Sequence, residues 1–326
     1  MEEKKNISVN MDEKSANPGD CMKHALSLEV LSRTNAWDKV TYSETHAGAG
    51  VYLESGQKPA KPHIRNLREQ IVSVLPQYSS GPENDEQSSP EPRIAGAPYY
   101  ELLTEWWSLA DCRRSYPGSA KQAGAFLTAQ KRDFMLQLTE ADEAIFQRLQ
   151  KAVRDYPGKE MLCSFQDEIE WLTRPEWLYL VVDPFRCIES FDTFGFRCGI
   201  NQGDIDHETF VRILSLCQDK KAAVIHLWWS KGGNDGEVSK QLAKSHRATR
   251  QLLNTWCSGS THRTYRHFHD NHNHASALLG IGDGVRIVET IPSKDKWKAS
   301  WLSKVVYELS RLGPELSADE VEEEVD

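Results

Sequence analysis

Thr45-His46-Ala47-Gly48-Ala49-Gly50, with the apolar and aromatic stretch 37–42 ahead of it and Val51-Tyr52 behind it, reads as a strand that ends in a glycine-rich turn. Glycine lets a backbone turn with positive φ and lets a ligand approach main-chain atoms closely, which is what an adenosine site at a strand end needs. A Gly-x-Gly pair also marks an ordinary tight turn, so the weight of this stretch depends on what the chain places beside it.

Outward from the turn, Cys21 to Arg33 has helical apolar spacing behind the capping region Asn17-Pro18-Gly19-Asp20. Lys23 and His24 fall near its start as ordinary surface positions. Beyond the turn, 62–74 and 99–114 have helical spacing and 77–93 is rich in Ser, Pro, Glu and Asp. This predicts a helical insertion at about 54–113 holding an exposed linker at 77–93. The Trp106-Trp107 pair reads as packing.

From Tyr116 strands and helices alternate. Helices are expected over 120–130, 141–153, 165–172, 210–217, 238–256 and 298–312, and strands over 134–139, 161–165, 177–183, 222–229, 262–274 and 275–281. Alternation of this kind implies right-handed crossovers and an α/β, Rossmann-like, mostly parallel sheet with helices on both faces. Ligands in such sheets bind outside the carboxyl ends of the strands, at the switch point.

Composition bounds the rest. With 326 residues, 39% of them hydrophobic, the chain can bury one substantial core. Residues 1–16 are expected to be disordered, 17–312 to form the domain, and 313–326 to be an acidic disordered tail. Of the net charge of −9, seven acidic residues and no basic ones lie in Glu315 to Asp326. The N-terminus lacks an apolar signal region and no apolar run is long enough to span a bilayer, so a cytoplasmic protein without a membrane partner is expected. Seven scattered cysteines without a Cys-x-x-Cys pair read as reduced thiols.

Polar groups recur at successive strand ends: His46 with Gly48 and Gly50, Glu140, Cys163-Ser164, and Asp183-Pro184-Phe185. A carboxylate after the second strand suits a ribose diol, although Glu140 is equally a favourable acid at a helix N-terminus. A carboxylate and a carbonyl accepting both protons of an exocyclic amine would turn its delocalised lone pair toward an electrophile. Asp-Pro after a buried strand is also a plain turn.

In order, Asn17-x-x-Asp20-x-x-Lys23-His24, Thr45 to Gly50, Tyr116-Pro117-Gly118-Ser119, Leu136-Gln137-Leu138-Thr139-Glu140, Asp183-Pro184 and Leu227-Trp228 resemble the RlmJ-type family over about residues 17–310. These are class I S-adenosylmethionine-dependent methyltransferases that modify the N6 amine of an adenine in 23S rRNA. The resemblance implies that Lys23, His24, His46, Ser119 and Glu140 contact S-adenosylmethionine along with the glycine turn. It also implies that Asp183 and Pro184 hold the target amine, that the helical insertion belongs to RNA recognition, and that transfer is direct and metal-free. The implied partner is 23S rRNA before ribosome assembly, met by a monomer.

The chain departs from the family at defined places. The family's Asp-Pro-Pro-aromatic motif is here Asp183-Pro184-Phe185-Arg186-Cys187. Either one proline is missing and Phe185 is the stacking ring, the reading preferred slightly, or Phe185 replaces the second proline and Arg186 the ring. The acid expected at the third strand end, a contact to the cofactor's adenine, is replaced by Cys163, and the signature ahead of Asn17 is absent. Outside the pattern lie His262, His267, His269, His272 and His274, where alternate spacing would put pairs of imidazoles on one strand face. A polar strand near the cleft is the preferred reading over a metal site. Lys244, Arg247, Arg250, Arg263 and Arg266 with Tyr265 and Phe268 form a basic and aromatic mixture suited to RNA. The rival functions are a non-catalytic RNA- or protein-binding module on the same fold and, behind it, a metal-dependent hydrolase.

Overall fold

Val40–Glu44 (β1) is β-branched and aromatic and buried along its whole length, the pattern of a central strand covered on both faces. It lies between β4 (Phe134–Glu140) and β6 (Trp177–Val182), parallel to both, with Tyr42 level with Leu136 on one side and Tyr179 on the other. The computed structural model describes residues 18–53, 68, 97–163, 165, 169–184, 186–190, 203–231, 237–270 and 274–292. The expected disordered N-terminus, the helix at 62–74 apart from Arg68, the helix at 298–312, the linker at 77–93, the acidic tail and Phe185 lie outside them.

Seven strands form the sheet in the order β10-β11-β9-β6-β1-β4-β5. β5 is Gly158–Leu162, β9 Ala222–Ser230, β10 Arg263–Asp270 and β11 His274–Gly282. β5, β4, β1, β6 and β9 are parallel, and β11 runs antiparallel to both neighbours. The chain therefore begins at the centre, fills one edge with β4 and β5, and returns across β1 to lay down β6. The switch point falls between the carboxyl ends of β1 and β6, where Thr45 and Asp183 emerge.

Helix α1 (Pro18–Leu31), α2 (Ala97–Ser108) and α3 (Ser119–Ala129) precede β4, and α4 (Glu143–Val153) follows it. α5 (His207–Cys217), α6 (Glu237–Cys257) and α7 (Gly284–Thr290) complete the helices described. One core joins α1, α3 and α7 to Tyr42, Tyr179, Val224 and Leu278; the other joins α5 and α6 to Leu178, Leu180, Ile225 and Leu227. α1 is buried nearly all round, and its Lys23 and His24 are inside rather than at the surface. Among the described residues no helix is long and apolar enough to cross a membrane.

Two local expectations are corrected, and one ladder is new. The third strand runs over Gly158–Leu162 rather than 161–165. A Cβ on Gly158 would stand 2.5 Å from the Leu136 carbonyl, so glycine there permits close strand pairing. Of the helix expected over 165–172, residues 166–168 lie outside those described and Ile169–Thr173 form a 3-10 turn. Finally β2 (Val51–Leu53) pairs antiparallel with β3 (Ser115–Pro117), a ladder without alternating pattern because each strand has only three residues. Trp107 Nε1 donates to the Ser115 carbonyl at 2.8 Å and Trp106 Nε1 to Ser115 Oγ at 3.1 Å, so the tryptophan pair fastens α2 to β3. β7 (Cys187–Ile188) and β8 (Ile205–Asp206) form a further two-stranded ladder.

Candidate functional site

The turn after β1 takes its shape from two residues in the left-handed region, Gly48 at φ 63° and Gly50 at φ 71°. Gly50 is required for packing as well: a Cβ there would lie 2.7 Å from Ala152 Cβ and 3.3 Å from Leu149 Cδ1 on α4. Gly50→Ala is therefore expected to cost about 2–4 kcal/mol, the left-handed penalty plus overpacking. Urea unfolding reads it, and a loss below about 0.5 kcal/mol would mean that the turn relaxes freely.

Glu140, at the end of β4, accepts from the Gly48 amide at 3.0 Å and from Ala141 and Asp142 amides at 2.8 and 3.0 Å. It thus ties the glycine turn to the start of α4. Burial pushes its carboxyl upward against these three donors. The Cys163 amide donates to the Glu140 main-chain carbonyl at 3.0 Å, which keeps Cys163 beside the end of β4. His46 shares a 2.7 Å hydrogen bond between Nδ1 and Thr45 Oγ1, and burial lowers its imidazole to about 4.

On the other side of the switch point the Lys23 ammonium, reaching in from α1, is paired with Asp183 and lies 3.3 Å from Asp20 Oδ1. Burial opposes the Lys23 charge, but Asp183, Asp20 and Glu44 outweigh it and raise the ammonium above its ordinary range. Pro184 is buried. Arg186 points its guanidinium at the buried Asp204, with Nε 2.9 and 3.1 Å from its two oxygens and Nη2 bonded to Oδ2. That pairing fixes the guanidinium in the plane of the Asp204 carboxylate.

Glu44 was not singled out by sequence. As the last residue of β1 it looked like strand, yet its carboxylate is 1% exposed and faces Lys23 and Asp183. Ser119, opening α3, donates its hydroxyl to Glu44 Oε1, whereas Oε2 has no hydrogen-bond partner among the described residues. Burial pushes this carboxyl up to about 8, with Ser119 and Lys23 pulling it back. Its only sequence signal is an acid at the end of an otherwise uncharged buried strand.

Order in the β9 and β11 strands brings Trp228 and His274 together at the same end of the sheet, their rings stacked at 6.0 Å and 27°. His226, also unflagged, is fully buried. Its Nδ1 is 3.3 Å from Ser27 Oγ and 3.2 Å from Tyr179 Oη, its Nε2 lacks a partner among the described residues, and burial lowers it to about 3. Of the remaining predicted histidines, His272 and the His269 side chain lie outside the described residues. A register shift between His267 and His269 breaks the alternation, His262 is exposed, and among the described residues no group of three or more His, Cys, Asp or Glu is placed to hold a metal.

The chain starts the sheet at its centre, fills one edge, crosses over and inserts its last strand, reversed, between the two before it. The chain has the class I methyltransferase fold. The crystal structure of protein LPL1258 from Legionella pneumophila str. Philadelphia 1, described under family-model DUF519, is similar to it at 16% identity and a TM-score of 0.51, over 85% of this chain and 92% of that one. The plantazolicin methyltransferase BamL, solved with SAH, is similar at 8% identity and a TM-score of 0.36, over 84% of this chain and 88% of that one. The hMettl16 catalytic domain, solved with the MAT2A 3'UTR hairpin 1, is similar at 16% identity and a TM-score of 0.32, over 71% of this chain and 83% of that one. No protein-family model and no curated relative matches the sequence.

Within the methyltransferase fold, the expected cofactor residues divide into two groups. His46, Gly48, Gly50, Ser119, Glu140 and Cys163 lie around the β1 turn and its neighbours, and Lys23 sits across from them on Asp183. His24 is held elsewhere. Its Nδ1 is 2.7 Å from Tyr116 Oη and 3.0 Å from Gln122 Nε2, its ring stacks on Tyr116, and burial keeps it well below the usual histidine range. It braces α1 against β3 and α3.

Proposed function

We propose that this chain is a cytoplasmic, monomeric S-adenosylmethionine-dependent methyltransferase acting on the exocyclic N6 amine of an adenine in RNA, with 23S rRNA as the acceptor. The observation that carries the reading is Asp183: a carboxylate at the end of β6, at the switch point, fixed by Lys23 and followed by Pro184.

The cofactor fits the residues present. Gly48 and Gly50 open the main chain, Glu140 offers a carboxylate for a diol, and Glu44 Oε2 is a buried acceptor suited to a cationic amino group. Cys163 offers no acid for the adenine amine. Bound there, S-adenosylmethionine supplies an electrophilic methyl on a sulfonium. The protein's part is orientation: Asp183 and the Pro184 carbonyl each accept a hydrogen bond from one N–H of the acceptor amine, so its lone pair is directed at the methyl rather than into the ring. Phe185, next in the chain, is the proposed stacking ring.

Calorimetry with S-adenosylmethionine, paired with mass spectrometry of adenine in rRNA from a methylation-deficient strain, tests the proposal. One-to-one binding and a new methyladenine are expected. Binding with no methyl mark would turn the reading to a non-catalytic module.

A further inference from the structure

α6 seals the second core with one face and shows cations on the other. Leu242, Ser245, His246, Thr249 and Leu253 are buried, while Lys240, Lys244, Arg247 and Arg250 are exposed. At about 100° per residue the first three fall within about 60° of one another and Arg250 about 60° further round. After Glu237 at its start α6 has no further acidic residue, so Lys240/Lys244, Lys244/Arg247 and Arg247/Arg250 are neighbouring like charges that disfavour the helix. Lys244 meets Glu189 at 3.0 Å; Lys240, Arg247 and Arg250 form no ion pair with a described residue. A chain of net charge −9 thus holds a basic stripe in which, among the described residues, Lys244 has a carboxylate partner and the other three have none. Arg263 and Arg266 do not belong to it: Arg263 lies 4.6 Å over the Trp256 ring and Arg266 Nη1 donates to the Ile291 carbonyl at 2.5 Å.

Position gives the stripe meaning. α6 follows β9, whose carboxyl end lies at the same edge as that of β6, and Lys244 is paired with a residue of the segment that follows Asp183. The stripe starts at the acceptor side of the site and runs along the helix for about 15 Å, long enough for roughly four phosphates of one strand. Among the described residues it exposes no large hydrophobic side chain, whereas protein-docking faces carry aromatic or apolar anchors.

We propose that the Lys240–Lys244–Arg247–Arg250 face of α6 is the track for the sugar–phosphate backbone of the nucleic-acid acceptor, which enters beside Asp183 at the Lys240 end. This rests on the reading of the acceptor as RNA.

The test is the triple variant Lys240→Gln/Arg247→Gln/Arg250→Gln, checked for an unchanged thermal midpoint. Its affinity for a 30-nucleotide single-stranded RNA is measured across a salt series, beside S-adenosylmethionine calorimetry and methyl transfer to an adenine-containing trinucleotide too short to reach the helix. RNA affinity at low salt should fall about 10- to 100-fold and the log–log salt slope by about 2, with cofactor affinity and trinucleotide methylation unchanged. If the wild type binds RNA and the variant matches it in affinity and slope, the track is wrong and the RNA reading stands. If RNA binding runs through the stripe but no RNA is methylated, the track stands and the catalytic reading falls. If the wild type binds no RNA, or binds a polyglutamate peptide in preference to it, the track falls together with the acceptor class.

Discussion

Asp183→Asn is expected to slow methyl transfer by on the order of 10²–10³-fold while S-adenosylmethionine affinity changes by less than about threefold. Asparagine keeps the volume and one carbonyl acceptor, so the loss isolates the carboxylate charge that localises the amine's lone pair. The variant should fold, because Lys23 keeps Asp20 at 3.3 Å when its partner is neutralised. Asp183→Ala is the harsher test and should abolish transfer, but it also strips a buried ammonium of a partner. The carboxylates around Lys23 hold its ammonium above the ordinary range, so Lys23 stays charged through neutral pH. Single-turnover transfer and calorimetry decide it: activity within tenfold of wild type would leave Asp183 as a turn residue tied to Lys23.

Strand ends were the legible part of this site. Parallel crossovers force the carboxyl ends of β1, β4 and β6 to one edge, so reading Thr45, Glu140 and Asp183 as strand-terminal already made them neighbours. Periodicity found these strands because each is a run of buried apolar residues bounded by turn chemistry. Polar groups inside elements were not legible. Glu44 sits within a strand and His226 within another, and neither pattern nor spacing tells a buried functional polar residue from a solvated one. His24 shows the converse, since its place in the Tyr116 and Gln122 network depends on two segments about a hundred residues away. Arg186 became assignable only once the β7–β8 ladder brought Asp204 to it.

Glu44→Gln should make the protein more stable and a poorer ligand binder, with both effects growing as pH rises. Wild-type Glu44 titrates near 8 when folded, against an ordinary value of 4.5, because burial disfavours its charge. Between those values the folded chain keeps a proton that the unfolded chain releases. The stability linked to that proton is complete below pH 4.5 and is lost as pH rises through 8, at up to about 1.4 kcal/mol per unit. Glutamine cannot ionise, still accepts from Ser119, and removes this slope, so urea midpoints of variant and wild type should diverge steadily toward pH 8. Binding runs the other way. A cationic amino group at Oε2 needs the ionised carboxylate, so wild-type affinity should climb with pH until about 8, and the variant should be flat and about 10- to 100-fold weaker there. Neighbouring groups do not blur the window: burial keeps His46 near 4 and His226 near 3, and Lys23 is held above its ordinary range by the carboxylates around it. Calorimetry at pH 6.5 and 8 in buffers of different ionisation enthalpy would count the proton released, and a variant with wild-type affinity and pH slope would remove Glu44 from the site.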